Sequence, residues 1–172
     1  MSNEEFDVSI FGDLIDANSR YVETFKYSEL SGSAAKGLAI ITCMDSRINP
    51  LSVVGMRSGD AKILRNAGAR VTEDVLRTLV LATYLLNVDR ILVMPHTDCR
   101  MAQSDESTLH DEIERQYSVD TRSIEFRVTK DQEAALEIDI TRIRSYPLIR
   151  EGVSVIGAIY DVKNGKIDFK NF

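Results

Sequence analysis

The stretch LAIITC, from Leu38 to Cys43, carries no charge and no alternation of polar with apolar residues. A strand with one wet face would alternate. An unbroken run therefore fits a strand buried on both faces, and such strands belong to parallel sheets covered by helices. Residues 61–64 and 90–94 are two further strand candidates.

Between those two lies VTEDVLRTLVLATYLLNVD, a helical pattern in which Thr72 can cap the first turn and Glu73 and Asp74 suit the helix dipole. Its apolar residues nearly encircle the axis, which predicts burial on more than one side, against the sheet and against a partner subunit. Strand, helix, strand is a right-handed crossover, so the fold class is α/β. Residues 4–30 place Phe6, Ile10, Leu14, Ala17, Tyr21 and Phe25 at helical spacing, predicting one long or two short amphipathic helices. Residues 105–147 read as mostly helical and end at Pro147. A buried strand, an Asn164-Gly165 turn and a short return strand close the chain.

A length of 172 residues and the absence of a 20- to 50-residue repeat point to a single domain. The longest apolar stretch, 79–86, is far below the roughly 20 residues that cross a bilayer. The acidic N-terminus is unlike a secretory signal, so a cytoplasmic protein is expected. A net charge of -6, with no basic patch, argues against nucleic acid and anionic membrane as partners. Two cysteines in a reducing compartment point to metal binding or catalysis rather than a structural disulfide.

Both cysteines stand at strand ends. The first strand ends in Cys43-Met44-Asp45-Ser46-Arg47 and the third in His96-Thr97-Asp98-Cys99. Parallel sheets gather functional groups beyond the carboxyl ends of their strands. Thiolate and imidazole are preferred zinc donors, so Cys43, His96 and Cys99 supply three of four tetrahedral positions. Asp45 is the remaining candidate. It can take the fourth position, or Arg47 can hold it away and leave that position to water, whose pKa zinc lowers to about 7. Asp98 is placed to orient a ligand or the Arg47 side.

The motifs C-x-D-x-R and H-x-x-C, with GDAKILRNAGARVTEDVLRTL between them, resemble those of the short bacterial β-class carbonic anhydrases. The resemblance is close over about residues 38–101 and looser at the C-terminal strand. It implies Zn2+ held by Cys43, His96 and Cys99, with Asp45 as gate or fourth ligand and Arg47 as its partner. It implies reversible hydration of carbon dioxide to bicarbonate and a proton by metal-bound hydroxide. The implied fold is a parallel four-stranded sheet with an added short antiparallel strand, flanked by helices. One β-carbonic-anhydrase-like domain would then span residues 1–172, with 1–30 a helical N-terminal arm. A homodimer or dimer of dimers is implied as well, with that arm reaching across to the other subunit.

Alternatives within the same site are hydrolysis of carbonyl sulfide or carbon disulfide, and outside enzymology a zinc or thiol-redox protein without catalysis. Where the family commonly has glycine after Cys99, this chain has Arg100, expected to point to solvent rather than narrow the pocket or attract bicarbonate. Met44, Ala67, Val71 and Met101 are the expected apolar lining. His110 is expected on a helix surface in preference to a proton-shuttle role. Gly68 marks a tight strand-to-helix turn or an anion-binding helix start. The segment RIRSYPLIR is expected to be a solvated helix end.

Overall fold

A computed structural model describes residues 8–172, so Phe6 of the N-terminal pattern lies outside the described residues. The chain divides into two compact units, one ending at Ser31 and the other spanning Gly32–Phe172. In the first, a single 3-10 turn at Val8–Phe11 leads into α1 (Gly12–Glu23). Tyr21, Phe25 and Tyr27 pack in series, tilted and then edge-on, at ring separations of 5.7 and 5.8 Å. No residue of α1 is buried, and Leu14, Ile15 and Val22 are exposed. The helix is shorter than the pattern predicts, because the chain beyond Thr24 forms turns.

The second unit is a five-stranded sheet in the order β2-β1-β3-β4-β5. Its strands are β1 (Leu38–Cys43), β2 (Ala61–Asn66), β3 (Arg90–Met94), β4 (Ser154–Tyr160) and β5 (Ile167–Lys170). The first four run parallel and β5 returns antiparallel to β4. All six residues of β1 are buried, which explains its composition: it lies between β2 and β3, under side chains on both faces. Its one hydroxyl, on Thr42, donates to the Met94 carbonyl at 2.8 Å, so no polar group is stranded. β2 extends two residues past the apolar pattern, since Arg65 and Asn66 still pair with Thr42 and Cys43.

Helices α3 (Glu73–Leu85) and α5 (Gln132–Arg144) build the larger core on one face of the sheet. Thr72 caps α3 through the Val75 amide. Only one stripe of α3 is buried: Val75, Leu76, Leu79, Ala82 and Thr83 recur at helical spacing, whereas Leu81, Tyr84 and Leu85 are exposed. Burial on more than one side is thus not achieved within this chain, because its apolar circumference exceeds what one sheet can cover. On the other sheet face Leu38, Ile40, Leu92, Met94 and Ala158 pack with Val53 and Val54, which belong to or follow the short α2 (Pro50–Val53). The remaining helix, α4 (Glu106–Tyr117), precedes an irregular segment leading to α5.

One expectation is incomplete and another fails. The arginines of RIRSYPLIR are not merely solvated: Arg144 donates to the Val155 and Phe172 carbonyls, and Arg150 to those of Thr83 and Val88. His110 lies on α4 as expected, but it is buried. Its Nδ1 is 2.8 Å from the Thr121 hydroxyl and its ring packs on Phe126, because the segment after α4 folds back over it.

Inside α5, Asp139 is buried and pairs with Arg70, whose Nε donates at 2.7 Å. Arg70 also donates to the Arg127 carbonyl at 3.0 Å, so the turn after β2 is tied both to α5 and to the irregular segment before it. Removing one member of such a pair leaves an uncompensated charge. Asp139→Leu is expected to cost about 3–5 kcal/mol in urea unfolding, and the pair change Arg70→Met with Asp139→Leu should recover most of that loss.

Candidate metal centre

Parallel pairing places Thr42 beside Met94, so the chain leaves β1 and β3 at the same sheet end. Cys43 is the last residue of β1, and His96 follows β3 by two residues. Asp98 then adopts a left-handed backbone (φ 56), a conformation that aspartate tolerates. The turn carries Cys99 back toward Cys43. The two sulfurs are 3.9 Å apart, and the donor atoms of Cys43, His96 and Cys99 all lie within 4.8 Å of one another. All three residues are buried, and among the described residues no other such group occurs.

The set fits a divalent metal on two grounds. Two sulfurs each about 2.3 Å from a tetrahedral zinc would stand about 3.8 Å apart, close to the separation found. The His96 ring supplies the second. Its Nδ1 lies 2.8 Å from the Thr97 carbonyl, which can only accept, so Nδ1 carries the proton and the lone pair sits on Nε2. Nε2 is buried without a hydrogen-bond partner, a costly arrangement unless a ligand receives that lone pair.

The electrostatics agree. The proton shared with Cys99 holds the Cys43 thiol well below its ordinary value, against burial, with His96 and the Gly68 N–H reinforcing the shift. The same sharing, then burial, pushes the Cys99 thiol up. Burial works against charging His96, but the nearby Cys43 sulfur raises it above its ordinary value. Gly68 has φ +76, and a Cβ there would meet the Met101 Cβ at 3.2 Å. Glycine is therefore required for the tight turn, and its N–H is directed at a sulfur.

Asp45 and Arg47 meet through a local turn. The Arg47 amide donates to Asp45 Oδ1 at 2.9 Å, and the guanidinium adds bonds of 3.0 Å to Oδ1 and 2.7 Å to Oδ2. Asp45 Oδ2 is 3.7 Å from His96 Nε2. Arg47 Nη1 reaches the Asp98 carboxylate at 2.8 Å. Arg47 thus holds both carboxylates below the usual range, and Asp45 first, then Asp98, raise Arg47 in return.

Two contributors escape sequence reading. Arg65 donates to the Cys43 carbonyl at 2.9 Å and the Asp45 carbonyl at 2.6 Å, and Gln132 donates to the His96 carbonyl at 2.9 Å. Register could have found Arg65, which pairs with Thr42; no local signal marks Gln132. Of the expected lining, Met101 packs beside Cys43, Ile48 and Cys99, and Ala67 is half-buried. Met44 is exposed, and Val71 packs in the main core instead. Arg100 points outward to Glu112.

The sequence profile of the carbonic anhydrase family matches residues 38–167. A solved carbonic anhydrase from Streptococcus mutans superposes with a TM-score of 0.87 at 37% identity, covering 94% of this chain and 97% of that one. β-Carbonic anhydrase 1 of Mycobacterium tuberculosis is 30% identical over 94% of this chain and 98% of its own length. A carbon disulfide hydrolase of Saccharolobus solfataricus is 27% identical over 92% of this chain and 89% of its own. With the profile spanning β1 to β4 and both halves of the donor set, the chain belongs to the β-carbonic anhydrase family.

Proposed function

We propose that this chain is a zinc lyase that interconverts carbon dioxide and bicarbonate. The observation that carries the reading is the buried Cys43, His96 and Cys99 donor set with the Arg47-held Asp45 carboxylate beside it. Zinc held there would lower the pKa of a water molecule to about 7 and make it a nucleophile near neutral pH. Two thiolates offset the charge of the ion, and the Thr97 carbonyl keeps the His96 lone pair on Nε2. Asp45, ionised and fixed by Arg47, would accept a hydrogen bond from that water and orient it toward carbon dioxide. Turned inward instead, it would offer the donor set a fourth, carboxylate ligand in place of water. Half-buried Met101 offers apolar surface to an apolar gas.

Hydrolysis of carbon disulfide or carbonyl sulfide is the second reading, favoured by the relative named for carbon disulfide hydrolysis. Rates of the purified protein with all three gases decide between them; turnover confined to the sulfur compounds would reverse the choice. We further propose a homodimer or dimer of dimers in the cytoplasm, supported by the exposed apolar residues Leu14 and Ile15 on α1 and Leu81 and Leu85 on α3. No described helix is long and apolar enough to cross a membrane.

Changing Cys43, His96 or Cys99 to alanine is expected to abolish both bound zinc, by elemental analysis, and carbon dioxide hydration, by stopped flow. Full activity in any of the three would remove the metal reading.

The pH profile follows from the shifts above. Depressed carboxylates contribute stability that is present above their unfolded value of 3.8 and lost only as pH falls through the lower folded one, so Asp45 and Asp98 stay ionised across the neutral range. A rise of kcat between about pH 6.5 and 8.5 then reports loss of a proton from the activated water. A flat profile over that window would contradict the mechanism.

A further inference from the structure

Arg47 is shared between two aspartates. Asp45 accepts from Nε and Nη2, as described, while Asp98 accepts from Nη1 through its carboxylate at 2.8 Å and from Nη2 through its backbone carbonyl at 3.1 Å. A guanidinium has five N–H donors in one plane, so the Asp98 contacts alone can fix its orientation. Asp98 is itself held in place. It occupies the left-handed position between His96 and Cys99, Gln103 donates to its other oxygen at 3.2 Å, and Lys163 adds a favourable charge.

We propose that Asp98 is a positioning residue for an Asp45 gate, keeping Arg47 oriented and partnered when the Asp45 carboxylate turns from the guanidinium toward the Cys43, His96 and Cys99 donor set. The proposal rests on the reading that this set holds a metal. Without Asp98, departure of Asp45 would leave Arg47 with no anionic partner. With it, both Asp98 hydrogen bonds can persist through the movement. Asp98 also loosens the hold on Asp45, since two carboxylates share one positive charge and repel across it. Both effects favour the inward arrangement, and Asp45 Oδ2 begins only 3.7 Å from His96 Nε2.

The full chain loaded with cobalt(II), whose visible absorption changes when an anion joins the metal, provides the test, with azide as the probe. Azide binds only when Asp45 is on Arg47, so its apparent affinity scales with that population. Asp98→Asn should tighten azide binding about three- to tenfold. In an Asp45→Asn background, which has no gate, the same substitution should change affinity less than about twofold, the residual effect of a screened, exposed charge. Asp98→Gly, which accepts the same left-handed backbone, should repeat the asparagine result. Equal changes in both backgrounds, no change in the first, or opposite effects of asparagine and glycine would overturn the proposal while leaving the metal reading intact. A wild-type protein that loads cobalt but neither binds azide nor hydrates carbon dioxide would remove the functional reading, and this proposal with it.

Discussion

The in-register parallel pairing of β1 with β3 is the constraint on which the site depends. Leu38 lies beside Arg90 and Thr42 beside Met94, so both strands deliver the chain to one sheet end at one level. A slip of one residue would turn every β1 side chain to the opposite face, burying the wrong set and carrying Cys43 away from Cys99. The register is protected because both faces of β1 are packed, one by α3 and α5 and the other by the smaller cluster around Ile40 and Met94. Hydrophobic burial thus sets the spacing of the donors: the strands cannot shift without exposing isoleucine and leucine side chains.

Placing two thiols and an imidazole in such a core is unfavourable unless the groups serve one another. The sulfurs share a proton, the Gly68 N–H is directed at Cys43, and His96 Nδ1 is satisfied by Thr97. Only the Nε2 lone pair remains without a partner. The surrounding charges are arranged to leave it so. Arg47 keeps Asp45 Oδ2 at 3.7 Å, and Arg65 is turned onto backbone carbonyls rather than toward the donors. Folding leaves one strong donor unsatisfied at the point where a cation would satisfy it.

How much of this was legible in the sequence depends on whether each signal is local. The unbroken apolar character of β1 marked a central strand, and the strand-end positions of Cys43, His96 and Cys99 marked the donor set. The Thr72 cap and the Asn164-Gly165 turn are chemistry of adjacent residues and were readable. Arg65, Gln132 and Asp139 were not, because each acts on a group at least 20 residues away, through contacts only the folded sheet creates. At the end of α5 the same limit shows: Arg144 is exposed at the helix end as expected, but the carbonyls that it and Arg150 reach were not readable. The α3 helix reads as apolar all round, yet one chain covers only one stripe of it.

The spacing of Asp45 and Arg47 has a different origin from the spacing of the metal donors. The Ile48 amide returns to the Asp45 carbonyl at 3.1 Å and the Arg47 amide to the Asp45 carboxylate, which is the turn that aspartate side chains nucleate on their own. Buried Ile48 anchors the turn among Cys43 and Cys99. A separation of two residues therefore suffices to join carboxylate and guanidinium without tertiary help, and the planar fork of arginine makes the contact bidentate where a lysine would offer a single point charge. Arg65 then grips the carbonyls on either side of Met44, so the backbone between ligand and gate is held from the neighbouring strand. With the backbone held, any movement of Asp45 between guanidinium and donor set falls to its side-chain torsions. A gate of that kind can change partner without disturbing the strand that carries Cys43.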